Sequence, residues 1–587
     1  MPKKKRKKKR TKYLTQQSLM QNYGFTRSII ERFLPEPKLV FDPEKPEKAP
    51  VRKWKKSDVD AMLDSNPEIR KALEDKRRRK EERARRVLKR AQAADEYLQQ
   101  FSPDDIIQQG KELSRRFVLH VGPTNSGKTY DAIQVLKTAE SGVYLGPLRL
   151  LALEMFETLN ADGCPCSLLT GEEYEPVSGA GLTASTIELC DFTRKYDVAV
   201  IDEAQLIADP FRGASWTNAI CLVDAAVVQV CMAPEALPLI ENLLKAMETP
   251  YEIVRHERLV PLEFAGVFKD IGDVEPGDAL IAFSRKKVLG IAAALEKMGK
   301  HASVIYGALP PAARREEVRR FTEKETTIVV ATDAIGMGIS LPIKRVIFVE
   351  TEKFDGSCRR SLLPSEIKQI AGRAGRFGKY DLGQVLTMND RRLISEGLSM
   401  DVPPITKLNL AFPTEALEYD YPLDKLLSQW DALPSNPLYD RADMSESEQL
   451  LGVLGSSASL YPRELLYSLI TCPVDVKNEK LVDYWYDCCE MILADAPLQR
   501  PEFAENTLES CELKYQAYDV YHQLSRRIGI EDDCLADKER LCGKINKFLV
   551  KSKTVFIRRC RICGAELPVT ARFNICDRCF DRQRGLR

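Results

Sequence analysis

The sequence predicts an α/β protein with two successive parallel-sheet lobes, followed by a helical region and a small metal-binding tail. Across residues 112–258, short apolar runs alternate with segments of helical spacing, which is typical of a parallel sheet with helices on both faces. Residues 259–395 repeat this scheme without a glycine-rich phosphate loop. Residues 396–550 are predicted to be mainly helical, with breaks at prolines, and residues 551–587 carry two Cys-x-x-Cys pairs.

The charge of the chain is unevenly distributed. The net charge is +2 over 587 residues, yet the first hundred residues carry 30 basic and only 15 acidic side chains. We expect this basic part to bind a polyanion. No apolar run approaches the roughly 18 residues of a membrane span, so no membrane association is predicted. Sixteen cysteines without a visible secretion signal indicate a reducing compartment.

Three parts are predicted before the first lobe. Residues 1–12 form a basic tail whose run Lys3–Arg10 is a solvated arm, a phosphate-binding arm or a nuclear import signal. Residues 13–65 are predicted to be a small helical module that resembles an excisionase-like helix-turn-helix fold, with nucleic-acid binding and plain docking as open alternatives. Residues 66–111 are predicted to be a charged helical connector, either simply solvated or in contact with RNA.

The stretch GPTNSGKT fits the P-loop pattern. It follows the apolar run Phe117–Val121 and precedes helical spacing over Tyr130–Lys137, which is the strand–turn–helix context that the motif needs. Backbone N–H groups and the helix N-terminus would bind phosphate, Lys128 would reach the β- and γ-phosphates, and the Thr129 hydroxyl would ligate Mg²⁺. The predicted nucleotide-binding residues are Gly122, Pro123, Thr124, Asn125, Ser126, Gly127, Lys128 and Thr129.

An acidic pair ends the apolar run Val198–Ile201. With the P-loop upstream, Asp202 is predicted to hold Mg²⁺ through water, and Glu203 to orient and deprotonate the attacking water. An acidic pair at a strand end is common by itself, so this prediction depends on the P-loop.

The second lobe supplies positive charge in the segment QIAGRAGR, residues 369–376. Arg373 and Arg376 are three residues apart and are expected on one face of a helical turn, projecting into the cleft between the lobes as arginine fingers. Gln369 would position phosphate or water. The two glycines favour close approach over a solvated basic helix. The predicted catalytic residues are Lys128, Asp202, Glu203, Gln369, Arg373 and Arg376.

Together with ATDAIGMGIS at Ala331–Ser340, these motifs resemble those of superfamily 2 helicases. The segments Gly146–Ala152, Leu169–Glu173 and Val304–Gly307 are similar to those of the Suv-type RNA helicases of the mitochondrial degradosome and their bacterial relatives. The resemblance implies two RecA-like lobes and an enzyme that hydrolyses ATP and unwinds RNA with 3′-to-5′ polarity. It also implies DNA or RNA–DNA hybrid as alternative substrates and an exoribonuclease as a candidate partner.

The same resemblance implies residues that contact the nucleic-acid backbone. They are Pro147, Arg149, Thr170, Gly171 and Thr186 in the first lobe and Ser284, Arg285 and Thr332 in the second. Contacts of this kind to the nucleic-acid backbone provide binding without sequence preference. Two other functions remain open, a DNA helicase or translocase and an ATPase clamp without processive unwinding.

Some features depart from the family pattern. Many superfamily 2 members have Ser-Ala-Thr where this chain has Cys231-Met232-Ala233, so the usual coupling contact has no assigned residue. The basic arm, the N-terminal module and the cysteine tail are not expected in the mitochondrial proteins. They predict a bacterial or phage relative in the cytoplasm, with nuclear import through the basic N-terminus as the alternative.

Four cysteines near the C-terminus have the spacing of a zinc ribbon. Cys560, Cys563, Cys576 and Cys579 form two Cys-x-x-Cys pairs separated by twelve residues. Two such knuckles present four thiolates in a closed tetrahedral site, so a structural zinc ion is predicted. Neighbouring arginines favour nucleic-acid contact, with a protein-docking surface as the alternative.

Overall fold

The computed structural model describes residues 13–40, 50–336, 341–530, 532–555, 560–565 and 575–583. The chain divides into two units, the first formed by residues 1–100 with 414–426 and the second by the remaining residues. The basic run Lys3–Arg10 and the last four residues of Ala331–Ser340 lie outside the described residues. The domain boundaries given above stay predictions.

The first unit begins with a small module that mixes helices and strands. Its elements are β1 (Tyr13–Thr15), α1 (Gln16–Asn22), α2 (Arg27–Phe33), β2 (Lys38–Val40), β3 (Val51–Lys55) and α3 (Lys56–Ser65). Thr15 and Thr26 cap α1 and α2 by accepting hydrogen bonds from backbone N–H groups three residues on, and Gly24 adopts φ +76° in the turn between them. The antiparallel sheet β1-β3-β2 was not predicted, because strands this short leave little alternation to detect.

A single long helix, α4 (Pro67–Gln100), follows the module. Near its start, Leu73 packs against the module core around Trp54 and Val59. Near its end, the ring of Tyr97 lies 5.3 Å from that of Tyr419. The helix is therefore anchored at both ends within the first unit.

The first lobe is built on an eight-stranded sheet. Its elements are α5 (Asp104–Glu112), β4 (Arg116–Val121), α6 (Lys128–Leu136), β5 (Gly142–Gly146), α7 (Arg149–Ala161), β6 (Cys166–Leu169), β7 (Tyr174–Glu175), β8 (Leu182–Thr186), β9 (Lys195–Ile201), α8 (Gly213–Leu222), β10 (Asp224–Met232), α9 (Leu237–Ala246) and β11 (Tyr251–Arg255). The strand order is β11-β4-β10-β9-β5-β8-β6-β7, and every pair is parallel except β6 and β7. Buried apolar side chains of both sheet faces make the core, which is why the strands appear in the sequence as continuous apolar runs.

The second lobe has a six-stranded, wholly parallel sheet in the order β12-β19-β16-β13-β15-β14. Its elements are β12 (Leu262–Val267), β13 (Asp278–Ile281), α10 (Arg285–Lys297), β14 (Ala302–Ile305), α11 (Pro311–Thr322), β15 (Ile328–Ala331), β16 (Arg345–Phe348), β17 (Glu352–Phe354), β18 (Arg359–Ser361), α12 (Pro364–Ala371), β19 (Gly383–Thr387) and α13 (Arg391–Ser399). Two parallel-sheet lobes in tandem confirm the predicted fold class.

The region after the second lobe is mainly helical, as predicted. Its elements are β20 (Leu408–Leu410), α14 (Leu423–Ala432), β21 (Tyr439–Arg441), α15 (Ser445–Leu454), α16 (Arg463–Ile470), α17 (Glu479–Leu493), α18 (Leu508–Arg527), α19 (Leu535–Val555) and α20 (Asp577–Gln583). Helices α18 and α19 share one apolar cluster with the second lobe, in which Tyr515 and Ile545 pack with Leu280 and Val304. These two helices are therefore part of the second lobe's core.

Candidate functional site

The P-loop connects β4 to α6 and is shaped by its glycines. Gly127 adopts φ +85°, and a Cβ on Gly122 would lie 2.6 Å from the carbonyl oxygen of His256, so only glycine fits there. Lys128 begins α6 and donates from Nζ to the carbonyl of Pro123 at 3.2 Å. The hydroxyl of Ser126 is buried and has no hydrogen-bond partner among the described residues. The loop thus presents an ammonium group and an unsatisfied hydroxyl, which fits a bound phosphate.

The carboxylate of Asp202 lies beside the first turn of α6. Thr129 donates from Oγ1 to Oδ1 of Asp202 at 3.2 Å, and the hydroxyl of Tyr144 donates to Oδ2 at 3.0 Å. Burial, together with the neighbouring charge of Glu203, raises the pKa of Asp202 to about 6. A hydroxyl and a carboxylate side by side are the donor set that holds Mg²⁺ in P-loop enzymes.

Glu203 is linked to the neighbouring strand through Gln205. Glu203 has φ +53°, a backbone conformation uncommon for a residue with a side chain and frequent at functional sites. The Gln205 amide donates to the Glu203 carboxylate, while its oxygen accepts from the backbone N–H of Ala233 at 3.0 Å. The backbone N–H of Ala233 is therefore connected to Glu203 through Gln205, in the segment where the sequence offers no Ser or Thr hydroxyl.

The two predicted arginine fingers do not share a helical turn. That expectation is wrong because α12 ends at Ala371, with Arg373 in the turn that follows and Arg376 in the irregular segment after it. Arg373 donates to the carbonyl of Gly336 at 3.2 Å. Burial lowers the pKa of Arg373, and the charges of Glu203 and Asp202 act in the opposite direction. The guanidinium of Arg373 thus feels both carboxylates of the acidic pair.

The other two predicted residues lie near Arg373. The guanidinium of Arg376 interacts electrostatically with Glu154 of α7 in the first lobe. Gln369 lies on α12, and its Cγ would be 3.5 Å from a Cβ placed on Gly336. The second lobe thus brings its three predicted residues to one end of α12.

The P-loop and the arginine turn are in direct contact. Asn125 donates from Nδ2 to the carbonyl of Gly372 at 3.0 Å. Arg258 donates to the carbonyls of Thr124 and Gly372, each at 2.9 Å. A Cβ on Gly372 would lie 2.7 Å from the Cβ of Thr124, so glycine permits this approach. Sequence reasoning missed Arg258, because no motif surrounds it.

The predicted nucleic-acid residues lie at the carboxyl ends of strands. Pro147 follows β5, Thr170 follows β6, Thr186 ends β8, Ser284 caps α10 after β13, and Thr332 follows β15. Ligands of parallel α/β sheets bind at this edge.

The two predicted arginines at this edge are paired with carboxylates. Arg149 pairs with Glu172 of the same lobe. Arg285 pairs through Nη2 with Glu512 of α18 at 2.9 Å, and the Glu512 carboxylate also accepts from the hydroxyl of Tyr306 at 2.5 Å. Glu512 is only 5% exposed. The C-terminal helices thus take part in the predicted nucleic-acid site.

Helices α18 and α19 also hold the loop that contains Thr170. Gln523 and Arg526 donate to the carbonyl of Gly171 at 2.9 and 3.2 Å. Lys538 of α19 pairs with Glu172 at 2.5 Å. Sequence reasoning found no chemistry in this helical region, since isolated Gln, Arg and Lys residues on amphipathic helices carry no motif.

The four predicted cysteines converge. Their Sγ atoms all lie within 4.8 Å of one another, with Cys563 and Cys576 at 3.6 Å. The backbone N–H groups of Cys563 and Cys576 lower the pKa of the Cys560 thiol to about 6. Four thiols at this separation fit a closed tetrahedral zinc site. Arg561, Arg578 and Arg582 beside it are exposed.

Comparison with known proteins identifies the family of the chain that carries this site. Residues 103–256 match the model of the DEXQ-box helicase domain of Suv3, and residues 266–378 match the helicase conserved C-terminal domain. The ATP-dependent RNA helicase SUV3, mitochondrial, of Oryza sativa is 34% identical over 458 residues, which cover 73% of this chain and 77% of the rice protein. The chain belongs to the Suv3 family of ATP-dependent RNA helicases. The predicted family and enzyme class are thereby confirmed.

Two other Suv3-type relatives are matched over shorter regions. The DExH-box ATP-dependent RNA helicase DExH16, mitochondrial, of Arabidopsis thaliana is 41% identical over 336 residues, 56% of this chain and 57% of that protein. The ATP-dependent RNA helicase SUPV3L1, mitochondrial, of Homo sapiens is 41% identical over 323 residues, 52% of this chain and 41% of that protein. The match therefore spans about half the length of these two relatives.

The names of these relatives correct the predicted location. All three are mitochondrial helicases by name, so the predicted bacterial cytoplasmic location is wrong, and the expected bacterial or phage source has no support from them. Among the described residues, no helix is both long and apolar enough to cross a membrane.

Proposed function

We propose that this Suv3-family helicase couples ATP hydrolysis between its lobes to 3′-to-5′ movement along RNA and to strand separation. The carbonyl of Gly372 in the second lobe accepts hydrogen bonds from Asn125 of the P-loop and from Arg258, which follows the last strand of the first lobe. This junction between the lobes is the observation that best supports the proposal. A nucleotide between the lobes would contact both sides of this junction, so its hydrolysis would change how the lobes are held.

Different residues around this junction have different roles in ATP hydrolysis. Lys128 and the P-loop backbone bind the phosphates, and Thr129 with Asp202 would hold Mg²⁺, which supplies charge neutralisation at the β- and γ-oxygens. Glu203 accepts the proton of the attacking water. Arg373 stabilises the charge that develops on the transferred phosphoryl group, with Arg376 and Gln369 supporting it.

In this proposal, ATP hydrolysis is coupled to the bound RNA strand through contacts at the edges of the two sheets. Gln205 joins Glu203 to the strand end at Ala233. Arg149, Thr170 and Gly171 of the first lobe, with Ser284, Arg285 and Thr332 of the second, bind the RNA backbone in this proposal. Pro147 and Thr186 shape the same edge.

Three further assignments belong to the proposal. The tail of four cysteines holds a structural zinc ion, which its thiol spacing fits. The protein works in mitochondria, as the names of its relatives suggest, and an exoribonuclease acts with it, as the motif resemblance implies. Fractionation of cells followed by co-purification of RNA-degrading activity tests the last two assignments together.

Comparative activity assays test the main proposal. ATP hydrolysis and strand separation are measured on RNA, DNA and hybrid duplexes with 3′ or 5′ overhangs, with Lys128→Ala as the inactive control. We expect RNA to stimulate hydrolysis and 3′-tailed duplexes to be unwound. Stimulation by DNA alone would overturn the RNA assignment, and hydrolysis without strand separation would favour a clamp.

A further inference from the structure

The middle of α4 is an exposed basic helix. The segment Lys76–Arg90 contains ten Lys and Arg residues against two Glu, a net charge of +8 in fifteen residues. Every side chain of this segment whose exposure is described is exposed, Val87 and Leu88 included. Burial resumes only at Ala94 and Leu98, so this part of the helix is held at both ends and left open to a partner.

Its charges are sorted by helix face. Spacings of three and four residues place five basic side chains along one stripe, namely Lys76, Arg79, Lys80, Arg83 and Arg86. The helical repeat puts Glu81 on the opposite side and Glu82 at the flank. Glu81 pairs with Arg77 at 2.8 Å and Glu82 with Arg78 at 3.9 Å, so both carboxylates are engaged by arginines outside the stripe.

Beyond the stripe, Arg90 follows Arg86 at the same helical spacing and pairs with Asp420, whereas the stripe itself has no such partner among the described residues. In the part of the chain that the structure describes, its five side chains form no ion pair. Like charges three or four residues apart weaken a helix, and a helix that served only as a solvated connector would be stabilised by alternating signs instead. A stripe about 15 Å long that keeps one sign is therefore suited to an anionic partner with regularly spaced charge.

We propose that this stripe binds the phosphate backbone of double-stranded nucleic acid. The segment Lys76–Arg90 contains no aromatic residue, whereas sites for single strands stack bases on aromatic rings, so the backbone is the feature it recognises. The module packed on the start of α4 has two helices joined by a tight turn and a three-stranded sheet, an arrangement used to bind duplexes. Arg52 and Lys55 on its strand β3 are exposed.

Two variants of equal charge test the stripe. The stripe variant carries Arg79→Gln, Lys80→Gln, Arg83→Gln and Arg86→Gln. The control carries Arg77→Gln, Arg78→Gln, Arg85→Gln and Lys89→Gln, which removes the same charge from the other faces. Binding of the full chain to blunt RNA and DNA duplexes of about 20 base pairs is measured by fluorescence anisotropy over a range of salt concentrations.

The stripe variant should lose about three units of the slope of log affinity against log salt, and the control less than about one. An equal loss in both variants would mean a general effect of net charge and would overturn the proposal. The proposal would also be overturned if the stripe variant bound duplexes normally but lost binding to phosphatidylserine vesicles, since this would assign the stripe to a membrane surface. The RNA and DNA arms tell which duplex is preferred.

This inference is independent of the proposed helicase cycle. Lys128→Ala should abolish hydrolysis and leave duplex binding and its salt slope unchanged. The stripe variant should keep ATP hydrolysis stimulated by a short single strand within about twofold, with an unchanged circular dichroism spectrum to show that it is folded. Loss of duplex binding in Lys128→Ala would assign that binding to the lobes and overturn the proposal for α4.

Discussion

Two regions of the lobes differ in chemistry. The ATP side comprises the P-loop, the acidic pair and Arg373, and the strand side comprises the residues predicted to contact the nucleic-acid strand. On the ATP side, predicted residues contact one another, with Thr129 on Asp202 and Asn125 on Gly372. On the strand side, Arg149 and Arg285 are each paired with a carboxylate of the protein's own chain. The ATP side is thus assembled by the lobes alone, and if the strand side binds RNA as proposed, RNA phosphates would compete there with internal carboxylates.

The internal carboxylates on the strand side are anchored by the C-terminal helices. Glu172 is held by Lys538 and by the hydroxyl of Tyr515, and Glu512 by Tyr306. A phosphate offers an arginine the same bidentate acceptor geometry as a carboxylate. Replacing one by the other would release α18 from the site without leaving the arginine unpaired.

The largest effect is expected for Arg373 on the ATP side. Arg373→Ala should lower kcat for RNA-stimulated ATP hydrolysis by about 10³-fold, because it removes the positive charge that faces Asp202 and Glu203. Steady-state ATPase assays measure this, with the exposed Arg391→Ala as the matched control. A loss below about tenfold would mean that another group neutralises the phosphoryl charge, and the contrast between the two sides would weaken.

A smaller and more selective effect is expected at the link between Glu203 and Ala233. Gln205→Ala should reduce the duplex separated per ATP hydrolysed by about tenfold, while hydrolysis falls less, because the side chain joins the acidic pair to a strand end. Parallel unwinding and ATPase assays give the ratio. Equal losses in the two activities would show that Gln205 only positions Glu203.

Removing the charge of Glu512 should act on the strand side alone. Glu512→Gln keeps an acceptor for Tyr306 but removes the buried carboxylate from Arg285, so affinity for single-stranded RNA should rise by about three- to tenfold while hydrolysis without RNA is unchanged. Glu509→Gln is the control, because Glu509 meets the same arginine with a side chain that is 82% exposed, and its effect should stay below about twofold. Weaker RNA binding in Glu512→Gln would refute competition between carboxylate and phosphate.

The smallest effect on either side is expected from the cysteine tail. Replacing Cys560, Cys563, Cys576 and Cys579 by Ser should remove bound zinc, while ATP hydrolysis changes by less than about twofold, because a closed site of four thiolates is structural. Metal analysis by mass spectrometry measures the zinc content. Zinc retained by the quadruple variant would place the metal elsewhere.

The sequence predicted the parts of the site that lie within single motifs. Gly122–Thr129 and the acidic pair after β9 were found because strand, turn and helix follow one another within a few residues. Contacts made by residues outside the motifs were not predicted. Gln523 meets Gly171 across 352 residues, and Arg258 joins the lobes from a stretch without a motif. The arginines were wrongly placed on a helical turn because α12 ends at Ala371, two residues before Arg373.

Helix α18 contacts both lobes. It has 20 residues and is about 30 Å long, and its two ends hold different partners. Near its start, Cys511 and Tyr515 are buried in the apolar cluster of the second lobe, although the Tyr515 hydroxyl also reaches Glu172 of the first lobe. Near its end, Gln523 and Arg526 donate to the carbonyls of Thr170 and Gly171 in the first lobe. If hydrolysis moves the lobes apart, as proposed, we expect the hydrogen bonds to Thr170 and Gly171 to break before the apolar cluster does. Helix α18 would then move with the second lobe, and each cycle would displace the loop that carries Thr170.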